Sequence, residues 1–205
     1  IFMGTPQFAV ESLQGCFEVG EVVAVVTQPD KPKGRGQEVV PPPVKELALA
    51  KGLPILQPQK VRGTDFADQL KAFRPEVCVV TAYGTILPKD VLEVAPHGCV
   101  NVHASLLPRF RGAAPIQWAI AHGDPKTGVC LMRMAAGMDT GPVISRAELS
   151  ITPTDTSATL HDRLSQLGRG LLTSDLPRYL SGELKPKAQT EDGVVMARMI
   201  EKADG

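Results

Sequence analysis

Asn101 and His103 stand two residues apart at the end of an apolar run, and one acid, Asp139, follows in Gly137-Met138-Asp139-Thr140-Gly141. An amide, an imidazole and a carboxylate are the groups needed to move an acyl unit between nitrogens. Asn can hold an oxyanion, His can donate a hydrogen bond or shuttle a proton, and Asp can orient them and accept charge. In a strand, side chains at i and i+2 project from one face, so Asn101 and His103 are expected to enter one cleft together. Ser105-Leu106-Leu107-Pro108 follows at once, and irregular segments at a strand's carboxyl end are where binding loops sit. The tight exit from the strand predicts a cis Leu107-Pro108 bond. Blander readings stand beside these: satisfied polar groups at a strand end, a turn pinned by Pro108, and Asp139 capping a turn. Asp139-Thr140-Gly141 also matches the aspartic-protease triplet, but that chemistry needs two carboxylates sharing a proton, and the chain holds no second copy.

The elements that must position these groups alternate. Ile1 to Met3 reads as the tail of a first strand, with Gly4-Thr5-Pro6 as its turn and Pro6 starting a helix. Glu21 to Thr27 is a β-branched run suited to a strand covered on both faces. Gln28 to Pro43 reads as a long polar loop. A helix then runs through Lys51, with Leu47, Leu49 and Ala50 among its apolar positions, and stops at Gly52. Leu53 to Gln57 and Glu76 to Thr81 read as strands around a helix from Thr64 to Phe73, with Thr64 as N-cap. A short helix, Lys89 to Val94, precedes a strand at Cys99 to Val102. This alternation predicts an α/β fold, a doubly wound, mostly parallel Rossmann-like sheet with helices on both faces. Ligands in such sheets bind beyond the carboxyl ends of strands, where residues 81 to 87 and 101 to 108 fall. Farther on, Ala114 to Ala121 reads as a helix, and Gly128 to Met134 with Val143 to Leu149 as strands flanking the Asp139 loop. Thr156 to Leu180 reads as a long helix interrupted at Gly168, Gly170 and Pro177; from about Ser181 the chain reads as a surface arm.

With 205 residues, 43% of them hydrophobic, the chain can bury a good core. Aromatics are scarce, so aliphatic side chains and Met must fill it. A formal net charge of zero argues against a general nucleic-acid sponge or a membrane-surface protein, so RNA contact would need a local basic patch. Cys16, Cys78, Cys99 and Cys130 are widely spaced and predict buried thiols rather than a disulfide framework. His97, His103, His122 and His161 lack zinc-type spacing, so no metal is expected. No signal peptide or transmembrane stretch is recognisable, and the cytoplasm is the expected location. The opening on Ile1-Phe2-Met3, inside a strand, suggests a trimmed amino end. Gly34-Arg35-Gly36 resembles a phosphate-binding fragment but has neither the Walker spacing nor the dinucleotide fingerprint. Its cations could contact a nucleic-acid backbone, and the alternative is a solvated loop. Arg109 and Arg111, around Phe110, form a second small basic patch. Trp118 reads as a packing residue.

Taken together, these segments resemble the methionyl-tRNA formyltransferase family, in its amino-terminal catalytic domain. The resemblance covers nearly the whole chain. It rests on Phe2-Met3-Gly4-Thr5-Pro6-Gln7-Phe8-Ala9, Thr27-Gln28-Pro29-Asp30, Gly34-Arg35-Gly36, Ala82-Tyr83-Gly84 with Ile86-Leu87-Pro88, and Asn101-Val102-His103. Ser105-Leu106-Leu107-Pro108-Arg109, Arg111-Gly112-Ala113-Ala114-Pro115-Ile116-Gln117 and Asp139-Thr140-Gly141 complete it in the same order. The resemblance implies formyl transfer from 10-formyltetrahydrofolate to the α-amine of methionine on initiator tRNA. Asn101 and His103 would then bind the oxyanion while Asp139 holds His103 and takes the proton. It implies a folate site at Tyr83, Gly84, Ile86, Leu87, Ser105, Leu106, Leu107, Pro108, Met134 and Met138, with Ile86 and Leu87 covering the pterin ring. It also implies tRNA contacts at Lys31, Lys33, Arg35, Arg109 and Arg111, with no obligate protein partner. Gln37 and Glu38 depart from it, where further basic residues are expected. On this resemblance residues 1–182 form the catalytic domain and 183–205 an arm toward a carboxy-terminal domain outside this chain, so weak tRNA affinity is expected. Competing readings are another formyl transferase or a hydrolase, acting on glycinamide ribonucleotide, an amino sugar nucleotide or water, and a non-catalytic Rossmann-like binding module.

Overall fold

Short β-branched and apolar runs build the central strands of the computed structural model, which describes residues 1–33 and 38–204. In chain order the elements are β1 (Phe2–Gly4), α1 (Phe8–Val19), β2 (Val25–Val26), β3 (Lys31–Lys33), β4 (Glu38–Val40), α2 (Pro43–Ala50), β5 (Ile55–Leu56), α3 (Phe66–Ala72) and β6 (Cys78–Thr81). They continue with α4 (Lys89–Leu92), β7 (Cys99–His103), β8 (Arg111–Gly112), α5 (Pro115–Ala121), β9 (Lys126–Arg133), β10 (Val143–Ser150), α6 (Ser157–Leu180) and β11 (Met196–Ala197). Seven strands form one sheet in the order β10-β9-β7-β6-β1-β2-β5, with helices on both sides. The pairings β6-β1, β1-β2 and β2-β5 are parallel, and β9-β10 is an antiparallel edge. The expected doubly wound, mostly parallel sheet is therefore present.

The chain divides into two compact units, Ile1–Val100 and Asn101–Gly205. In the first, α1 packs on β1 and β6. Gly4 ends β1 where only hydrogen fits: a Cβ there would lie 2.8 Å from both the Ala9 Cβ and the Thr81 carbonyl oxygen. The buried stripe of α2 is Val44 and Ala48, four residues apart, while Leu49 is exposed, contrary to its expected apolar role. In the second unit α6 lies on β9 and β10, with Leu160, Leu164 and Leu172 fully buried. Its N-terminus is a capping box in which the Thr156 hydroxyl accepts from Thr159 N–H and the Thr159 hydroxyl accepts from Thr156 N–H.

Several elements differ from expectation for identifiable reasons. The polar stretch after Gln28 contains an antiparallel hairpin, β3-β4, which its Lys and Pro content concealed. β2 and β5 are only two residues long, with Val25 in register with Ile55 and Val26 with Leu56. α3 begins at Phe66, two residues later than expected, where Thr64 Oγ1 accepts the Phe66 N–H at 3.3 Å. α6 is continuous through Gly168, Gly170 and Pro177. Gly168 marks a close approach: a Cβ there would lie 3.0 Å from Val102 Cγ1 on β7. No helix among the described residues is long and apolar enough to cross a membrane.

Candidate active site

β7 is buried at every position, so its two polar side chains need partners. Val102 faces α6 at Gly168, so period-two alternation turns Asn101 and His103 to the other side of the sheet. Both are buried, at 8% and 6% relative exposure. His103 Nε2 lies 2.9 Å from the Phe110 carbonyl oxygen. A carbonyl only accepts, so Nε2 carries hydrogen and the neutral ring keeps its lone pair on Nδ1. That nitrogen faces Asp139 Oδ2 at 3.7 Å, too far for a direct hydrogen bond. A proton arriving on Nδ1 would make an imidazolium beside a carboxylate, an attractive pair. Asp139 Oδ2 accepts the Gly112 N–H at 2.8 Å, and Oδ1 accepts a long 3.5 Å bond from Asn101 Nδ2. The structure thus brings all three residues together.

Local backbone makes this convergence. Phe110 (φ +60°) and Asp139 (φ +50°) both occupy the left-handed region, uncommon for residues other than glycine. The turn at Phe110 returns its carbonyl to His103, while its ring packs with Ala119 and Ala197. The Leu107-Pro108 peptide is cis, as expected. Leu107 is fully buried among Cys130, Met132 and Val143, and the Ser105 hydroxyl donates to the Arg109 carbonyl at 2.6 Å. These two side chains hold the turn in place, and Leu106 and Pro108 are left half-buried. Met134 is half-buried and Met138 is 52% exposed.

In the first unit the carboxyl ends of β1, β2 and β6 are tied together. Thr5 Oγ1 donates to the Tyr83 carbonyl and accepts the Gln28 N–H, and Gln28 Nε2 donates to Thr85 Oγ1. Gly84 (φ +85°) supplies the turn. Ile86 is 65% exposed, whereas Leu87 belongs to the core, so of the expected pair Leu87 is not available to cover a ring. Tyr83 is buried as well; burial pushes its phenol up to about 12, and its hydroxyl has no hydrogen-bond partner among the described residues.

Of the expected cations, Lys31 is exposed on β3, Lys33 pairs through its backbone with Glu38, and Arg35 with Gly34 and Gly36 lies outside the described residues. The base of the hairpin is pinned by Asp30, which accepts from Lys45 Nζ at 2.6 Å and Gln57 Nε2 at 2.7 Å. These bonds, with Gln57 first, hold the Asp30 carboxyl below its ordinary value. Arg109 forms a bidentate pair with Asp124 at 2.6 and 2.7 Å and lies over the Phe110 ring. Arg111 departs from the expected phosphate-facing patch. Its side chain is only 6% exposed, donating to Gln189 Oε1 at 3.0 Å and Glu191 at 3.4 Å, because the segment after α6 folds over it. Trp118 packs with the Phe110 cluster and donates to the Arg198 carbonyl. Sequence reasoning missed the Phe110 carbonyl, the Gly112 N–H and Gln189. No spacing rule signals a contact such as Gln189 to Asp139, fifty positions apart. Among the described residues no three His, Cys, Asp or Glu side chains cluster as metal ligands.

Comparisons with known proteins place the sequence and the fold. The formyl transferase family profile matches residues 1–176. The methionyl-tRNA formyltransferase of Myxococcus xanthus is 64% identical over all 205 residues, and the chain spans 66% of that relative's length. Glycinamide ribonucleotide transformylase 1 from Symbiobacterium toebii has the same fold, with TM-score 0.75 at 20% identity, over 92% of each chain. So has the Helicobacter canadensis N-formyltransferase, solved with folinic acid and dTDP-3-aminofucose, with TM-score 0.73 at 17% identity over 99% of this chain and 70% of that one. A profile match across most of the residues, on a fold whose buried polar side chains converge on one point, settles the relationship: the chain belongs to the formyl transferase family.

Proposed function

We propose that the chain transfers the formyl group of 10-formyltetrahydrofolate to the α-amine of methionine on initiator methionyl-tRNA. The observation that carries this reading is the buried meeting of Asn101, His103 and Asp139, in a chain 64% identical to a methionyl-tRNA formyltransferase. The neutral amine attacks the formyl carbon, a carbon–nitrogen bond forms, and negative charge grows on the formyl oxygen. Among the described residues Asn101 Nδ2 is held only by a 3.5 Å bond, so it is free to turn to that oxygen. His103 was expected to donate to the same oxygen, but its Nε2–H is engaged by the Phe110 carbonyl. The proton lost by the amine instead moves toward the His103–Asp139 pair, whose Nδ1 and Oδ2 atoms are both acceptors in the resting site. Collapse of the tetrahedral adduct breaks the bond to N10, which takes a proton and leaves as tetrahydrofolate.

On this reading residues 1–182 serve as the catalytic domain, and the segment after them packs back on its loops through Lys187, Gln189 and β11. The folate-binding residues on the same reading are Tyr83, Gly84 and Ile86 of the first unit and Ser105, Leu106, Leu107, Pro108, Met134 and Met138 of the second. The acceptor tRNA is met by Lys31, Lys33 and Arg35, with Arg109, whose side chain stays 39% exposed beside Asp124, contributing. Arg111 supports the site from within the protein instead.

The test offers labelled 10-formyltetrahydrofolate with four acceptors in parallel: charged initiator tRNA, glycinamide ribonucleotide, an amino sugar nucleotide and water. Label recovered as formylmethionyl-tRNA, and lost in Asn101→Ala and His103→Ala variants that still bind folate, is the expected result. Transfer to another acceptor, or near-normal turnover in either variant, would overturn the proposal.

A further inference from the structure

The loop that carries Asp139 is poorly supported from within. Its internal backbone bond, Thr140 N–H to the Gly137 carbonyl, is 3.5 Å long, and Asp139 itself is left-handed. Support comes from the segment after α6. Gln189 Nε2 donates to the Asp139 carbonyl and to the Gly141 carbonyl, each at 2.7 Å. Its Oε1 accepts from Arg111 Nε at 3.0 Å. Both amide hydrogens and the amide oxygen are therefore used, and a flipped amide would set its oxygen against two carbonyls. The same segment holds the other side of the carboxylate. Arg111 N–H donates to the Val195 carbonyl and Ala114 N–H to that of Ala197, which brackets Gly112, whose N–H binds Asp139 Oδ2. Lys187 pairs with Val143 through two 2.8 Å backbone bonds just beyond the loop.

We infer that Gln189 is a positioning residue that keeps the Asp139 carboxylate facing His103 Nδ1. Among the described residues its side-chain hydrogen bonds go to two main-chain carbonyls and to Arg111, so it acts through Asp139. The inference deepens the formyl-transfer reading and rests on it for its kinetic consequence, while the clamp itself is a property of the fold.

The experiment compares the parent chain with Gln189→Glu, Gln189→Ala, Asn101→Ala and, as a surface control, Thr190→Ala. Gln189→Glu preserves shape and the Arg111 partner but removes both donated bonds, so it separates clamping from packing. Turnover in both Gln189 variants falls roughly 10- to 100-fold, the range expected when a catalytic group is displaced by up to about 1 Å. KM for donor and acceptor stays within about twofold, because neither substrate loses a contact. Amide hydrogen exchange in residues 137–142 accelerates in the same two variants and not in Thr190→Ala. Wild-type turnover in both Gln189 variants, with Asn101→Ala inactive, would overturn the inference and leave the reading of function standing. If the parent transfers no formyl to methionyl-tRNA, that reading fails, and exchange still judges the clamp: unchanged protection at 137–142 sinks it, and faster exchange upholds it.

Discussion

Replacing Asp139 by Asn isolates a single electrostatic term. Asn tolerates the left-handed backbone at this position as well as Asp does, so φ of +50° adds no strain. The amide oxygen can still accept the Gly112 N–H that now reaches Oδ2 at 2.8 Å. What disappears is a negative charge 3.7 Å from His103 Nδ1, between side chains only 7% and 15% exposed. At an effective dielectric of 20, opposite unit charges at that distance attract by about 4 kcal/mol. If the imidazole carries the amine's proton in the transition state, that attraction corresponds to about three decades in rate. Single-turnover formyl transfer at saturating donor and acceptor should therefore fall roughly 10²- to 10³-fold in Asp139→Asn, with folate binding retained. A rate within tenfold of the parent would refute the argument, since the carboxylate would then be acting on neither the imidazole nor the proton.

Other expectations concern stability and accessibility. The Asp155 carboxyl accepts from Thr152 N–H at 2.8 Å, from Arg163 at 2.5 Å and from Thr159, and these bonds hold it well below the ordinary carboxylate range. A lowered folded value stabilises above the unfolded value near 4 and is lost as pH falls through the folded value. Asp155→Asn should thus lower Tm at pH 7, with the deficit closing below about pH 4; a constant deficit across a pH series of thermal melts would contradict this. All four cysteines are buried, and burial pushes the Cys16 thiol up to about 12, so native protein should react slowly with a thiol reagent at pH 8. An immediate reaction without denaturant would show that burial is wrongly assigned. Leu164 in α6 is fully buried, so Leu164→Ala should cost about 2–5 kcal/mol in denaturant unfolding. A cost below about 1 kcal/mol would mean the site collapses around the gap.

Much of the site was legible because its signals are local. Asn101 and His103 share a face for a reason internal to any strand, and the turn after them is announced by Leu107-Pro108. The β-branched runs at 22–26 and 77–80 announce buried strands, and their spacing implies crossovers between parallel neighbours. Local signals failed where the deciding partner lies far away in sequence. Gly168 looks like a helix breaker until Val102 is found against it. Arg111 looks like a surface cation until Gln189 and Glu191 are found beside it. Leu87 looks like a ligand cover until it is found in the core.

The order of residues alone determined the alternating architecture, the family, and the amide, imidazole and carboxylate side chains. The architecture follows from side-chain periodicity and turn chemistry within some ten residues of each position, and the family from the ordered resemblance of its segments. Tertiary structure decided how those groups are held: the Phe110 carbonyl that orients His103, the Gly112 N–H on Asp139, and the Gln189 amide on the loop below it. Each is a main-chain or amide hydrogen bond whose partner is selected by folding. Every residue but proline carries the same main-chain groups, so no pattern of side chains reveals which of them will meet.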